Sequence, residues 1–276
     1  MTLSVAQHLV VLALLSLDAL ARGLRLRAMV PMPLGRAVGV NLCGDAAAAL
    51  TPAGLGADPV RFAAFQRSGA AGSAVLAAFV TEFGVGVATT VAGAAILSGI
   101  FAGAAAELAH RLAAFGAPAS WIRSVALVVL PLALSAVAAM RFRRRLPPVL
   151  VHSVRDAWAV VRRRPPSLLA LVSGLTLVSL AARTAILPIL AAGAAGASPG
   201  MLIVGSFMLL AGQNVLPTPS GVGGVELGFL AGFSSSLRSS DLGRLLLVWR
   251  FYTLLLGLAV GLALLARSDW VRRSRP

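Results

Sequence analysis

Two short Pro-Gly segments interrupt otherwise apolar sequence, and they match one another. Leu50-Thr-Pro-Ala-Gly-Leu-Gly-Ala-Asp58 lies in the first half of the chain, Val215-Leu-Pro-Thr-Pro-Ser-Gly-Val-Gly-Gly-Val-Glu226 in the second. Pro52-x-Gly54-x-Gly56 aligns with Pro219-x-Gly221-x-Gly223, and an acid follows each core within three residues. Proline removes a backbone donor, and glycine reaches conformations that helices exclude. Inside a membrane, such backbone persists only where protein or a water-filled cavity satisfies it. One interruption per half points to a transporter site built from discontinuous helices. A chain of this kind is expected to move something across a membrane rather than react with it.

Composition supports the membrane reading. Hydrophobic residues make up 58% of the chain and charged residues 12%, whereas a soluble domain carries roughly 45–50% and about 25%. The 276 residues suit one bundle of spanning helices, each needing about 20 apolar residues. The expected fold class is therefore all-α: a polytopic membrane helix bundle with inverted repeats and two re-entrant, broken-helix segments. Residues 1–276 form a single integral membrane domain, with pseudo-repeat halves of about 1–140 and 165–276.

The net charge is +15 and every basic residue is arginine. These arginines flank hydrophobic runs, which fits the positive-inside rule and anionic headgroups and argues against nucleic acid. Cys43 is the only cysteine, so no internal disulfide or CxxC site exists. His8, His110 and His152 lack ligand spacing, and neither a metal nor a cofactor is expected. Gly221-Val-Gly-Gly224 lacks the lysine of a phosphate-binding loop. Ser220 and Ser234–Ser236 have no base at credible spacing, so no catalytic residue is assigned.

Along the chain, Leu3–Ala21 reads as an uncleaved first helix whose charges follow it, in a basic loop from Arg22 to Arg36. Ala37–Ala57, with Asn41, Asp45 and the first interruption, is too broken to count as a span. Gly72–Ile100 can cross and continues toward Phe115, with Glu107, His110 and Arg111 at an interface. Trp121–Met140 is a span. The arginines at 141–145 and 162–164 mark a cytoplasmic loop, 141–164, in which Val154–Val161 forms either an amphipathic inner-leaflet helix or a solvated loop. Ser167–Leu190, Met201–Leu216, the short run Val225–Phe233 and Leu245–Ala266 complete the second half. The basic tail is cytoplasmic, in the cell (inner or plasma) membrane. The first interruption then opens from inside and the second from outside, as inverted repeats require.

The string Leu216-Pro-Thr-Pro-Ser-Gly-Val-Gly-Gly-Val-Glu226 resembles the signature of the lysylphosphatidylglycerol synthase transmembrane family, also called flippase-like. Leu50-Thr-Pro-Ala-Gly-Leu-Gly-Ala-Asp-Pro-Val-Arg61 is similar to that family's early Pro-x-x-x-Gly-acid-x-x-Arg segment. Glu82 falls where the family places an intramembrane glutamate, and Leu247-Val-Trp-Arg250 resembles its late arginine-bearing helix. Phe83 and Gly86 stand where the family often has arginine and an acid, and Ser220 replaces a usual glycine. The resemblance implies the lipid-translocating part without the lipid-modifying domain.

Expected substrate-binding residues are Pro52, Gly54, Gly56, Asp58, Arg61, Glu82, Arg183, Pro219, Gly221, Gly223, Glu226 and Arg250. A helix starting near Val222 presents free N–H groups to an anion such as a lipid phosphate. Glu226 either offsets that helix dipole or contacts a headgroup, and Asp58 poses the same choice, with Arg61 able to pair with it. Arg183 and Arg250 lie in apolar spans and must face protein, water or a partner. They serve as structural partners of Glu82 or Glu226, or as a phosphate-binding pair. Asp18 caps its helix or pairs with Arg22. The expected function is transport of an anionic or polyprenyl-phosphate-type lipid between leaflets. The alternative is a non-transporting scaffold or regulatory partner of a lipid- or glycan-modifying enzyme. Membrane lipids are the expected partners; a homo-oligomer or a membrane-enzyme partner is left open.

Overall fold

A computed structural model describes residues 3–67, 69, 71–114, 156, 158–193, 196–214 and 216–267. The span expected at Trp121–Met140, the arginines of 141–145 and three residues (154, 155 and 157) of the stretch Val154–Val161 lie outside these residues. Of that stretch, residues 158–161 are helical, and the Arg162 guanidinium sits 5.4 Å from the Trp158 ring centre. The described residues form helices joined by turns and loops, without a strand.

Helix α1 runs Val5–Met29, opened by a Ser4/Gln7 capping box and closed where Val30 turns extended ahead of Pro31. It continues eight residues past Ala21, more than two turns, and this corrects the expected loop at Arg22–Arg36. Asp18, Arg22 and Arg25 fall on one face at helical spacing, and each finds an opposite charge or a hydroxyl. Their burial in pairs lets the helix continue where isolated charges would end it. Helix α2, Leu34–Leu50, occupies the stretch that sequence left unassigned. The first break follows, then α3, Ala57–Gln66, α4, Gly72–Ile100, and α5, Ala102–Ala114.

The second half opens with α6, Pro166–Thr184, with proline in its first turn. A turn at Ala185 leads to α7, Ile186–Leu190, and Ser198 caps α8, Pro199–Gly212. After the second break come α9, Gly224–Phe233, and α10, Ser239–Arg250. A π-helical turn, Phe251–Leu255, joins α10 to α11, Leu256–Arg267.

Among the described residues, Gly72–Ile100, Pro166–Leu190 and Ser239–Arg267 are long and apolar enough to cross a membrane. Only 6% of the most apolar window of α4 is buried, and Phe83, Val91 and Ile100 on it are each more than 60% exposed. In water that face would be an aggregation surface; hydrocarbon is its natural solvent. At about 1.5 Å per residue, α3 and α9 reach only ~15 Å and cannot span alone.

The halves share one plan. A shift of 167 positions (219 less 52) carries Pro52 to Pro219 and α3, Ala57–Gln66, onto α9, Gly224–Phe233. The same shift carries Gly72–Ile100 onto Ser239–Arg267. Packing follows this plan: α1 lies against α6, α2 against α11, and α8 against α4. One core gathers Ile186, Leu190, Phe229, Phe233 and Trp249, and a smaller one gathers Leu26, Val40, Phe65, Val75 and Val172.

Candidate functional site

The two breaks fold into the same turn. Ala53 and Gly54 are left-handed (φ 51° and 70°), as are Ser220 and Gly221 (φ 49° and 67°). Gly54 N donates to Thr51 O at 3.2 Å and Leu55 N to Pro52 O at 3.2 Å, and the shifted pairs Gly221–Thr218 and Val222–Pro219 repeat this at 3.1 and 3.0 Å. Alanine and serine in the left-handed region carry strain that glycine avoids, of the kind that gathers at functional sites. The tips touch: Pro52 and Pro219 form an isolated antiparallel bridge.

The glycines differ in what surrounds them. A Cβ on Gly221 would fall 2.8 Å from Val225 Cγ2 and 2.9 Å from Gln213 Cα, whereas on Gly54 the nearest atom, Ala48 Cβ, is 3.6 Å away. Gly54→Ala is therefore expected to lose about 1–2 kcal/mol, from backbone strain alone. Gly221→Ala adds a clash with backbone and is expected to lose roughly 1–3 kcal/mol more. Melting temperatures of both variants in one detergent test this, and equal losses would show that the crowding at Gly221 is relieved.

Each broken helix is latched to the long helix that follows it, with the charges exchanged. In the first half, Arg61 on α3 donates to Glu82 on α4 at 2.5 Å, and Arg25 of α1 pairs with the same carboxylate. Arg25 also reaches Thr176 Oγ1 on α6 at 3.1 Å. Asp58 is a distant partner of Arg61 at 3.4 Å and is 65% exposed. In the second half, Glu226 on α9 accepts from Arg250 Nε on α10 at 2.5 Å and from Gly223 N at 2.6 Å. Arg250 also donates to Ser220 O at 3.3 and 3.4 Å. Glu226 thus occupies the helix N-terminus that sequence offered to a phosphate, and it offsets the dipole there. The helix starts at Gly224 rather than near Val222.

Between the breaks lies a cavity of about 300 Å³, lined by α1, α2, α6, the end of α8, both turns, the π-helical turn and the start of α11. Its charged residues are Asp18, Arg22, Asp45 and Arg183, joined by Gln213, Asn214, Tyr252 and Thr253. Arg22 bridges Asp45 at 2.7 Å and Asp18 at 3.1 Å, and Asp18 accepts from Ser179 Oγ at 2.5 Å. Arg183 lines the cavity half-buried and makes no hydrogen bond or ion pair within the described residues. Tyr252 stands on the π-helical turn, a local geometry frequent at functional sites, and its hydroxyl meets His8 Nδ1 at 2.6 Å.

Of the residues expected from sequence, Gly54 and Arg183 line this cavity. Pro52 and Pro219 form the tip contact, and Gly56, Gly221 and Gly223 build the turns. Arg61, Glu82, Glu226 and Arg250 are the latches. Asp58 stands apart on the exposed side of α3. Arg22 and Asp45 went unassigned as site residues because each, read alone, looks like an interfacial charge. The signal available was the i, i+4, i+7 spacing of Asp18, Arg22 and Arg25, which puts three charges on one face of a helix.

Residues 2–261 match the family model described as lysylphosphatidylglycerol synthase TM region. A comparison with curated proteins gives no match.

Proposed function

The chain belongs to the lysylphosphatidylglycerol synthase TM-region family, a family of multi-pass membrane proteins, and from that membership we propose that it translocates a phosphate-bearing lipid between leaflets. The substrate class is an anionic phospholipid or a polyprenyl-phosphate-type lipid. The observation that carries this reading is Arg183, a guanidinium without a partner among the described residues, in the cavity where the two helix breaks meet. Guanidinium matches phosphate in a planar fork. A volume of about 300 Å³ suits a headgroup rather than a whole lipid, so the acyl chains stay in the bilayer, along faces like that of α4.

In this reading the two breaks are re-entrant, the halves are inverted repeats, and transport exchanges their roles. The loop 141–164 and the basic tail lie on the cytoplasmic face of the cell membrane, by the positive-inside rule. In this reading lipid is carried, not modified, and the cavity's acids serve to hold Arg22.

Arg183→Ala is expected to slow translocation of fluorescent phosphatidylglycerol by about tenfold to a hundredfold, the worth of one charge-assisted contact. Its melting temperature should stay near wild type, because no protein partner is lost. The measurement is dithionite-protected fluorescence in liposomes holding only this protein. No translocation by the wild-type chain would favour the scaffold or regulatory reading, in which a lipid- or glycan-modifying enzyme supplies the activity.

A further inference from the structure

The charge balance of the cavity points to a coupled proton. Two cations, Arg22 and Arg183, and two anions, Asp18 and Asp45, line it, so the unloaded cavity is neutral. A monoanionic phosphodiester brought to Arg183 leaves one negative charge in excess in a low-dielectric site. Uncompensated charge there is strongly disfavoured. Arginine stays protonated throughout, and Tyr252, already neutral, has no proton to gain. Compensation falls to a carboxylate.

The two carboxylates differ in how firmly they are held as anions. Asp18 is 3% exposed and is held by two donors from two helices, Arg22 at 3.1 Å and Ser179 Oγ at 2.5 Å. Asp45 has one donor residue, Arg22 at 2.7 Å, and its side chain is 39% exposed to the cavity. A second anion beside a carboxylate favours its protonated form, and the carboxylate held by fewer donors gives up less on protonation; water in the cavity reaches it. We propose that Asp45 takes up a proton as the anionic headgroup binds, so that lipid and proton cross together.

The proton comes from water in the cavity and converts the Asp45 carboxylate to the neutral acid. Arg22 Nη1, which Asp45 holds at 2.7 Å, is then released to donate to the phosphate while Nη2 stays on Asp18. Arg22 and Arg183 close on the phosphate from two helices. Other charged groups around Asp45 are committed elsewhere. Arg61 packs along α2 at Gly44 and holds Glu82, which adds its field to Arg22. Cys43 is buried on α2, His8 is bonded to Tyr252, and α11 presents only apolar side chains and glycine to the cavity.

This proposal rests on the lipid-translocation reading, and two measurements separate their failures. In the first, full-length protein in phosphatidylcholine liposomes carries fluorescent phosphatidylglycerol and a lumenal pH dye. Wild type is expected to move about one proton per lipid, so that a gradient of about one pH unit drives up to about tenfold leaflet asymmetry. Asp45→Asn should lose the gradient response, and any translocation it retains should carry no proton. Asp45→Glu should restore the coupling. In the second, phosphatidylglycerol is added to wild-type protein in weakly buffered detergent, and about one proton per protein is expected to be taken up. Asp45→Asn should bind the lipid, by thermal shift, with no uptake. Wild-type translocation indifferent to the gradient, proton uptake surviving in Asp45→Asn, or lipid binding without uptake would each overturn the coupling. Proton uptake on binding without any translocation would sustain the proton site and overturn the transport reading.

Discussion

Glu82→Gln is expected to lower stability by about 3–5 kcal/mol. Glu82 is the shared counter-charge of Arg25 and Arg61, and all three side chains are less than 15% exposed. Both arginines already have a buried Nε without a partner, and the loss leaves Arg25 with Thr176 Oγ1 and Arg61 with the distant, exposed Asp58. The amide would leave two guanidinium groups facing each other where water cannot screen them. Because Arg25 joins α1 to α4 and Arg61 joins α3 to α4, the loss also unties three helices. The test is a melting temperature in detergent, together with that of Glu82→Gln/Arg25→Met. The double variant should recover part of the loss by removing one unpaired cation. A single variant that melts with wild type would show that solvent reaches this cluster.

Glu226→Ala and Arg250→Ala are expected to abolish translocation, because they hold the break that forms one wall of the cavity. Their effects on stability should differ. Removing Glu226 leaves Arg250, 6% exposed, with only the Ser220 carbonyl as acceptor, a loss of about 3 kcal/mol or more. Removing Arg250 leaves a carboxylate that is 30% exposed and still accepts from Gly223 N. That loss should be about 1–2 kcal/mol. Flip rates and melting temperatures on the same preparations decide the matter. Equal melting losses would refute the asymmetry, and normal flipping by both variants would remove the latch from transport.

Sequence made some of this architecture legible. Pro52 and Pro219 announced the breaks, because nothing else in an apolar run explains a lost donor beside repeated glycine. Arg250 announced a carboxylate partner by the same logic of expense, and Glu226 is that partner. The cavity was harder to read. Arg22, Arg25 and Arg27 look like a topological signal after a helix, and only the partners Asp45 and Glu82, distant in sequence, show that two of them are interior. Helix α2 was obscured for a related reason. Its glycines and alanines lower its hydropathy yet allow close packing, with Gly261 of α11 seated against Leu42 and Ala46.

The contact between Pro52 and Pro219 has a mechanical meaning. Left-handed neighbours turn the chain away beside each proline, so the bridge stays isolated and does not extend into a ladder. The join is a point, not a seam. It is also formed by corresponding residues, so it is its own image when the halves trade places. The latches are not, since one holds arginine on the short helix and the other glutamate. In the proposed transport cycle, a motion that swaps the halves keeps this point still, as the fulcrum of a balance stays still, while the cavity beside it tilts from one water phase to the other.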